Sequence, residues 1–335
     1  MIDEVKKIIE EEYEIKVKSV EKIKNVFKIE DENNRFYSLK VIKYEFAHFK
    51  FIIGAMKHLQ ENGYDGIPEF ILTRDKKEFI KFQGKFAYLN PWIQGRESNY
   101  DNFVDVSNAT KNLAIVHNKS KSFIVTPDMK PRYYWAEWVK NFTTRKNEIL
   151  DFKNRISRKE NMSEFDHKYE EIMEDELLKC DKAIRDLEKS DYFKFMKDEE
   201  KQAGFCHHDY ANHNILIDEN NKIFLIDFDY CILDTHLHDL SSLIIRKMKD
   251  GKWCVKDAEK IISIYNEFYK VQKSEIEIMA SFMEFPQAYW QLGIQYYWEK
   301  QPWGEEFFLK KLKRISLDND ERQEFVEEFR CMGVV

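Results

Sequence analysis

The segment 205-FCHHDYANHNILIDENNKIFLIDFD-229 constrains this chain more than any other. Two short apolar runs, ILI and IFLI, flank 218-DENN-221, a pattern that predicts a β-hairpin. Asp209 and Asn214 precede this hairpin, and Asp227 follows it. Because a hairpin brings its two ends together, we expect these three polar side chains to converge.

Two carboxylates and an amide in this order are what a phosphoryl-transfer site needs. We expect Asp209 to be the base that receives the proton of an acceptor hydroxyl. Asn214 and Asp227 offer the oxygen ligands that Mg²⁺ takes, so both are predicted metal ligands. A single loop Asp would be an ordinary turn residue, and it is the spacing of its companions that favours this site.

Four neighbouring residues receive supporting roles. His207 is expected to pack beneath the loop and hold its shape. Asp239 starts a helix in His238-Asp239-Leu240 and is expected to bond to the loop backbone. His213, inside the loop, and Asp229 are candidates for contact with the substrate.

The histidines also allow a different interpretation. His207, His208, His213, His236 and His238 include H-H-x-x-x-x-H and H-x-H spacings that could bind zinc. No cysteine pair accompanies them, and phosphoryl transfer accounts better for the surrounding residues. We therefore rank the transition-metal cluster second.

Residues 1–93 predict a nucleotide-binding sheet. A helix is expected over 1–12, followed by the alternating runs VKSVEKI, NVFKIED and FYSLKVIK, a helix that ends at Asn62-Gly63, and the runs PEFILT, EFIKFQ and KFAYLNPW. This order indicates a small antiparallel sheet carrying one helix. Lys40 alternates with Leu39 and Val41 on the third strand and so faces the other side, where it could reach ATP phosphates. An ordinary surface lysine is the alternative in a chain with 54 basic residues.

The stretch 86-FAYLNPWIQG-95 lies where the sheet gives way to helices. Backbone groups from Asn90 to Ile93 could pair with the adenine edge, with Leu89 and Trp92 as walls of the pocket. A plain linker has the same covalent geometry. Residues 94–335 then read as a helical unit with the catalytic loop at 206–217, Asp227 and the acceptor pocket. The aromatic stripe 285–308 predicts helix packing and could also line that pocket.

Composition excludes several classes of protein. The net charge of −7 offers no basic surface for nucleic acid and gives only a faint indication of a cationic acceptor. The apolar runs are too short for a membrane span, and the charged N-terminus lacks a signal peptide's apolar core. Five widely spaced cysteines without a C-x-x-C pair favour a reducing compartment. We therefore expect a cytoplasmic protein without nucleic-acid or membrane partners.

With these motifs the chain resembles the CotS-related spore coat proteins, a branch of the aminoglycoside phosphotransferase and choline kinase superfamily. The resemblance rests on YSLKVIK (37–43), HLQENGY (58–64), WIQGRE (92–97), LAIVHNKS (113–120), WAEWVKNFTTRKNEILDFK (135–153), CHHDYANHNILI (206–217), LIDFDYCILDTHLHDLSSLI (225–244) and FPQAYWQ (285–291).

That resemblance implies an α+β, two-lobed protein-kinase-like fold, with a five-stranded N-lobe carrying one helix and a larger, mainly helical C-lobe. It assigns the base to Asp209, the Mg²⁺ ligands to Asn214 and Asp227, and the phosphate contact to Lys40, with ATP as cofactor. It places the protein in the cytoplasm of the mother cell or at the spore coat, with coat proteins as partners.

Two features depart from the family pattern. The turn expected to cover the phosphates, within 20-VEKIKNVFKIED-31, contains no glycine. The N-lobe helix shows no glutamate to pair with Lys40, since Met56 lies about where one is sought and Glu45 precedes the helix.

The leading hypothesis is an ATP- and Mg²⁺-dependent phosphotransferase that acts on a hydroxyl of a small molecule, sugar or coat component. The alternative is a kinase-fold coat protein that binds nucleotide or partners and catalyses little.

Overall fold

The computed structural model, which describes residues 1–333, has an N-terminal lobe built on a five-stranded antiparallel sheet. Its strands are β1 (Val17–Ile23), β2 (Val26–Asp31), β3 (Phe36–Ile42), β4 (Ile80–Phe82) and β5 (Lys85–Pro91). They lie in the order β1-β2-β3-β5-β4. The predicted sheet of the first 93 residues is therefore confirmed.

Strand alternation gives this sheet two different faces. Leu39 pairs with Leu89 across β3 and β5, and both side chains are buried with Val5 and Ile9 of helix α1 (Ile2–Glu12). Lys40 points to the opposite face. Helix α1 therefore covers the outer face of the sheet and leaves the inner face toward the C-terminal lobe.

Helix α2 (Phe46–Glu61) packs between the sheet and the helical lobe and shares one buried core with both. The run PEFILT, residues 68–73, was expected to be a strand and is not. It forms one isolated bridge, between Ile71 and Leu89. The backbone there is held by Asn90 instead, whose side chain donates to the carbonyls of Pro68 and Glu69.

A second sheet joins the linker between the lobes to the predicted hairpin. Strands β7 (Ile215–Ile217) and β8 (Ile223–Leu225) form that hairpin, and β6 (Arg96–Glu97) pairs with β7. Strand β6 was not expected. Gly95, just before it, passes so close to the hairpin that a Cβ would lie 2.7 Å from the Ile217 carbonyl oxygen. The lobes are thus tied together next to the predicted catalytic loop.

The rest of the C-terminal lobe is helical. Its helices are α3 (Phe103–Ser120), α4 (Trp138–Ser157), α5 (Glu164–Glu171), α6 (Met173–Lys189), α7 (Tyr192–Gln202), α8 (Leu237–Met248), α9 (Val255–Asn266), α10 (Lys273–Glu284), α11 (Gln287–Gly293), α12 (Glu305–Leu317) and α13 (Asn319–Arg330). No helix within residues 1–333 has the length and apolar character of a bilayer span.

The aromatic stripe 285–308 packs mainly against α4 and α5. The rings of Tyr169 and Tyr289 stack at 4.1 Å, and each hydroxyl donates to the other residue's backbone carbonyl. Trp298 and Trp303, near the end of the stripe, are partly exposed. The stripe is therefore a helix–helix core with an exposed edge.

Gly293 is required where α11 approaches this core. A Cβ at this position would lie 2.3 Å from the Tyr169 hydroxyl and 2.5 Å from the Phe152 ring, and both side chains are fully buried. Because these rings have nowhere to move, we expect Gly293→Ala to lower the free energy of unfolding by about 1–3 kcal/mol. Urea unfolding measures this loss. Gly333→Ala, where a Cβ meets nothing within 4 Å, is the control, and equal stability of the two variants would contradict the prediction.

Candidate active site

The loop that carries Asp209 is held by a buried carboxylate. Asp239, in the first turn of α8, accepts the backbone N–H of His207 at 2.7 Å and of His208 at 2.8 Å. Its Oδ2 also lies 3.3 Å from His117 Nε2. Burial alone would raise the pKa of Asp239, but the hydrogen bond with His117 and the nearby His238 ring, 3.9 Å away, outweigh it and hold that pKa well below its usual range. Asp239 therefore remains ionised and fixes the course of the loop.

His207 joins this loop to the segment after the hairpin. Its ring is fully buried, with Nε2 3.0 Å from the Ile226 carbonyl oxygen and the ring 4.8 Å from that of Phe228. Burial lowers the pKa of His207, so the ring is neutral near pH 7. The contact with Ile226 places the loop directly beside Asp227.

Asp209 is held through both of its carboxylate oxygens. Oδ2 accepts from the Asn214 amide nitrogen at 3.0 Å, and Oδ1 accepts from Arg246 Nη2 at 2.8 Å. The Asn214 nitrogen also donates to the Asp209 carbonyl, so its amide oxygen remains for a ligand. Arg246 was not predicted. A signal existed, because it lies seven residues after Asp239 and so on the same face of α8.

Lys40 crosses from the N-terminal sheet to the two aspartates after the hairpin. Its ammonium lies 2.7 Å from Asp227 Oδ1 and 3.2 Å from Asp229 Oδ1, and the lysine is buried. Asp227 has a left-handed backbone conformation, with φ of 66°, which turns its carboxylate toward β3. The lysine that alternation placed on this face thus meets a predicted metal ligand.

The partner of Lys40 is not a residue of α2. Glu45 is exposed before the first turn of that helix, and Met56 is buried in the core. Asp229 lies beside Lys40 as its second carboxylate partner, and its contact with the substrate stays a prediction. Burial raises the pKa of Asp229, as does Asp227, while Lys40 opposes this, and the result is about 6.

The predicted adenine-binding stretch is only partly directed at this cleft. Tyr88 and Asn90 lie on the same face of the sheet as Lys40, because Lys40 pairs with Tyr88 across β3 and β5. Leu89 lies on the opposite face under α1, so its predicted role as a pocket wall is wrong. Trp92 and Ile93 are half-buried where the chain leaves β5, and the backbone N–H of Trp92 donates to the Phe36 carbonyl.

The five histidines do not form a metal cluster. His213 is exposed on a short 3₁₀ turn, Asn212–Asn214, and the His208 and His238 rings pack together at 4.7 Å. His236 lies between two carboxylates instead, with Nδ1 2.9 Å from Glu199 Oε2. The one candidate cation-ligand group in residues 1–333 is His117, Cys206 and Asp239. Since Asp239 there already binds backbone N–H groups, this group serves to hold the loop.

Comparison with known families finds one that matches most of the chain. Residues 6–329 match the family described as "Spore coat putative kinase YutH". The chain belongs to this family. It is also similar to spore coat protein S of Bacillus subtilis (strain 168), at 21% identity over 280 residues, which cover 83% of this chain and 79% of that protein. The resemblance seen in the sequence is confirmed.

Solved structures share the fold. An aminoglycoside phosphotransferase from Alicyclobacillus acidocaldarius superposes with a TM-score of 0.82 at 19% identity, covering 96% of this chain and 94% of that one. A spectinomycin phosphotransferase in complex with ADP and spectinomycin gives 0.68 at 15% identity, with 99% of both chains covered. The two-lobed kinase-like fold is therefore confirmed, and the family to which the chain belongs agrees with it.

The buried carboxylate of Asp239 should dominate the stability of the loop. Asp239→Ala leaves the N–H groups of His207 and His208 buried without an acceptor, so we expect a loss of about 3–5 kcal/mol in the free energy of unfolding. Chemical denaturation measures it. Asp218→Ala is the matched control, because Asp218 also accepts two backbone N–H groups but on the exposed hairpin turn. Similar losses in both variants would refute the role of Asp239.

The pair of Glu199 and His236 predicts a pH dependence of stability. Burial alone would lower the pKa of His236, but the charge of Glu199 outweighs it and raises the pKa to about 9. The stabilisation is then complete below the unfolded pKa of about 6.5 and is lost as the pH rises through about 9. Melting temperatures of the wild type should fall over this range more than those of His236→Gln. His167→Gln, at an exposed position of α5, should keep the wild-type slope, and parallel curves for wild type and His236→Gln would contradict the prediction.

Proposed function

We propose that this family member is an ATP- and Mg²⁺-dependent phosphotransferase that acts on a hydroxyl group of a small molecule, a sugar or a spore coat component. The continuous set of contacts from Lys40 through Asp227 to the Asp209 loop supports this proposal. Lys40 bonds to Asp227, Ile226 bonds to His207, and Asn214 bonds to Asp209. Such a set matches the needs of a reaction in which positioning and charge do most of the work.

In the proposed reaction the acceptor oxygen attacks the γ-phosphorus as the bond from that phosphorus to the β,γ-bridging oxygen breaks. Asp209 orients the acceptor hydroxyl and receives its proton, and ADP leaves. Asn214 orients Asp209 through its amide nitrogen, and Arg246 holds the other carboxylate oxygen. Both contacts keep the carboxylate in one position before the substrate arrives.

The metal-binding part of the proposal rests on oxygen donors. The amide oxygen of Asn214 and the carboxylate of Asp227 would hold Mg²⁺, which when bound would offset the charge of the β- and γ-phosphates. Lys40 is buried between Asp227 and Asp229, and its ammonium is thereby aimed at the place where phosphates would lie. Backbone groups of Asn90 to Ile93, with Trp92 beside them, would receive the adenine.

The setting of the reaction follows from the family. Membership in a spore coat kinase family, and the similarity to spore coat protein S, support action in the mother cell or on the forming coat. Coat proteins are then the expected partners, and a coat component is one candidate acceptor.

A coat protein with little catalysis is the second candidate, and the β1–β2 turn favours it. The turn consists of Lys24 and Asn25 alone, and Lys24 takes the left-handed conformation with φ of 54°. A turn so short and without glycine offers few N–H groups for phosphates. Nucleotide would then be covered less closely than in an efficient kinase.

Two substitutions separate these functions. Stabilisation by ATP and Mg²⁺ should raise the melting temperature of the wild type, because ligand binds only the folded state. Asp227→Ala should lose the magnesium-dependent part. Asp209→Asn should keep it while its ATP turnover falls by about 100-fold or more. Asp218→Asn, on the exposed turn between them, should match the wild type in both assays.

Three results of these assays would contradict the phosphotransferase, the metal assignment or catalysis. Absence of nucleotide binding by the wild type would refute the phosphotransferase. Nucleotide binding that Asp227→Ala retains in full would refute the metal assignment. Binding without phosphoryl transfer to water or to any of a broad set of hydroxyl compounds would favour the coat role.

A further inference from the structure

A group of aromatic and basic side chains packs around His208, the residue before the proposed base Asp209. We name it the acceptor-side cluster; it consists of Tyr134, Arg145, His208, His238 and Trp290. The His208 ring lies 4.7 Å from that of His238 and 6.0 Å from that of Tyr134. The Arg145 guanidinium stacks 4.6 Å over the Trp290 ring. Since His208 directly precedes Asp209, this cluster borders the place where an acceptor would enter.

The arginine of this cluster lacks an anionic partner. Arg145 Nη1 donates to the Gln287 side-chain oxygen at 2.7 Å, and no carboxylate within residues 1–333 lies within 4.0 Å of the guanidinium. The charge of Glu148 acts on Arg145 from beyond this distance, and the Glu148 carboxylate accepts the indole N–H of Trp290. Arg145 is half-buried, and burial lowers its pKa. A desolvated guanidinium without a carboxylate is ready to bind an anion.

Arg132 adds to the positive charge on this side. Its guanidinium lies over the Tyr44 ring at 4.9 Å, and it too has no carboxylate within 4.0 Å among the residues that the structure describes. Burial lowers the pKa of His208, the charges of His238, Arg132 and Arg145 lower it as well, and Asp239 opposes them, so that the pKa is about 3. Asp239 is the opposing carboxylate near His208, and its oxygens already accept backbone N–H groups.

An ammonium group on the acceptor would meet like charge at this cluster. A phosphate or carboxylate would find the planar, two-pronged donor that suits it, with Tyr134 beside it. We propose that the acceptor of this phosphotransferase carries an anionic group, and that Arg145 binds this group while Asp209 receives the hydroxyl proton. This rests on the proposed function and adds the charge class of the acceptor. The anion is a phosphate ester or a carboxylate of a hydroxyl compound.

The test compares probes that share one sugar skeleton and differ in charge. Calorimetry on the full chain, saturated with Mg²⁺ and AMP-PNP so that the nucleotide phosphate site is filled, titrates glucose 6-phosphate, glucuronate, glucose and glucosamine. Glucose 6-phosphate or glucuronate should bind at least about tenfold more tightly than glucosamine. Which of the two binds better distinguishes a phosphate from a carboxylate as the preferred anion.

Three arginine substitutions test whether the preference belongs to the cluster. Arg145→Gln should reduce the ratio of anionic to cationic affinity to about one, without changing the affinity for AMP-PNP. Arg158→Gln removes an equal charge from the exposed C-terminal end of α4 and should keep the wild-type ratio. Arg145→Lys should lie between them, since it keeps the charge and loses the planar pair of donors.

Several results would overturn the proposal. These are tighter binding of glucosamine, equal or unmeasurable binding of all four probes, and an undiminished preference in Arg145→Gln. A first titration, of AMP-PNP into the chain with Mg²⁺ and before any probe, reports nucleotide binding. If AMP-PNP does not bind, the proposed phosphotransferase is refuted. The affinities for the four probes, measured without nucleotide in wild type and Arg145→Gln, would then still decide whether Arg145 selects anions.

Discussion

The site depends on one buried carboxylate. Asp239 accepts two consecutive backbone N–H groups, those of His207 and His208, which no regular secondary structure would satisfy. Without it the loop would expose these donors to an apolar interior, at a cost that few folds tolerate. His208 has a left-handed backbone with φ of 68°, and the Asp239 bonds hold it there. The direction of the next residue, Asp209, follows from that geometry.

The second constraint is the contact between lobes. Lys40 and Asp227 are 187 residues apart, yet they form a 2.7 Å ion pair with Asp229 beside it. In water such a pair would contribute little, but here the lysine is buried and its partners are fixed by the hairpin. The close passage of Gly95 past Ile217 holds the two lobes at this spacing. The sheet therefore supplies a charge, and the helical lobe supplies the groups that orient it.

Local patterns predicted what local interactions determine. The sequence predicted the hairpin, the polar residues around it and the strand alternation that turns Lys40 inward. Each of these depends on neighbours along the chain. The sequence did not predict the partner of Lys40, since tertiary packing brings Asp229 to this lysine where the family pattern has a helix glutamate. Leu89 was misplaced because the face it occupies depends on its register with β3. Strand β6 has two residues, Arg96 and Glu97, too few to show any periodicity.

Net charge says little about the acceptor for a related reason. A chain of net charge −7 gives only a faint indication of a cationic acceptor, because charge acts over a short distance in salt solution. Arg246 bonds to Asp209, and the charges of Arg132 and Arg145 act on His208, the residue before Asp209. Only Arg246 has a carboxylate within bonding distance, and that carboxylate is Asp209 itself. In the proposed acceptor site, the guanidinium groups of Arg132 and Arg145, which have no carboxylate within 4.0 Å among residues 1–333, would therefore matter more than the charge summed over the whole chain.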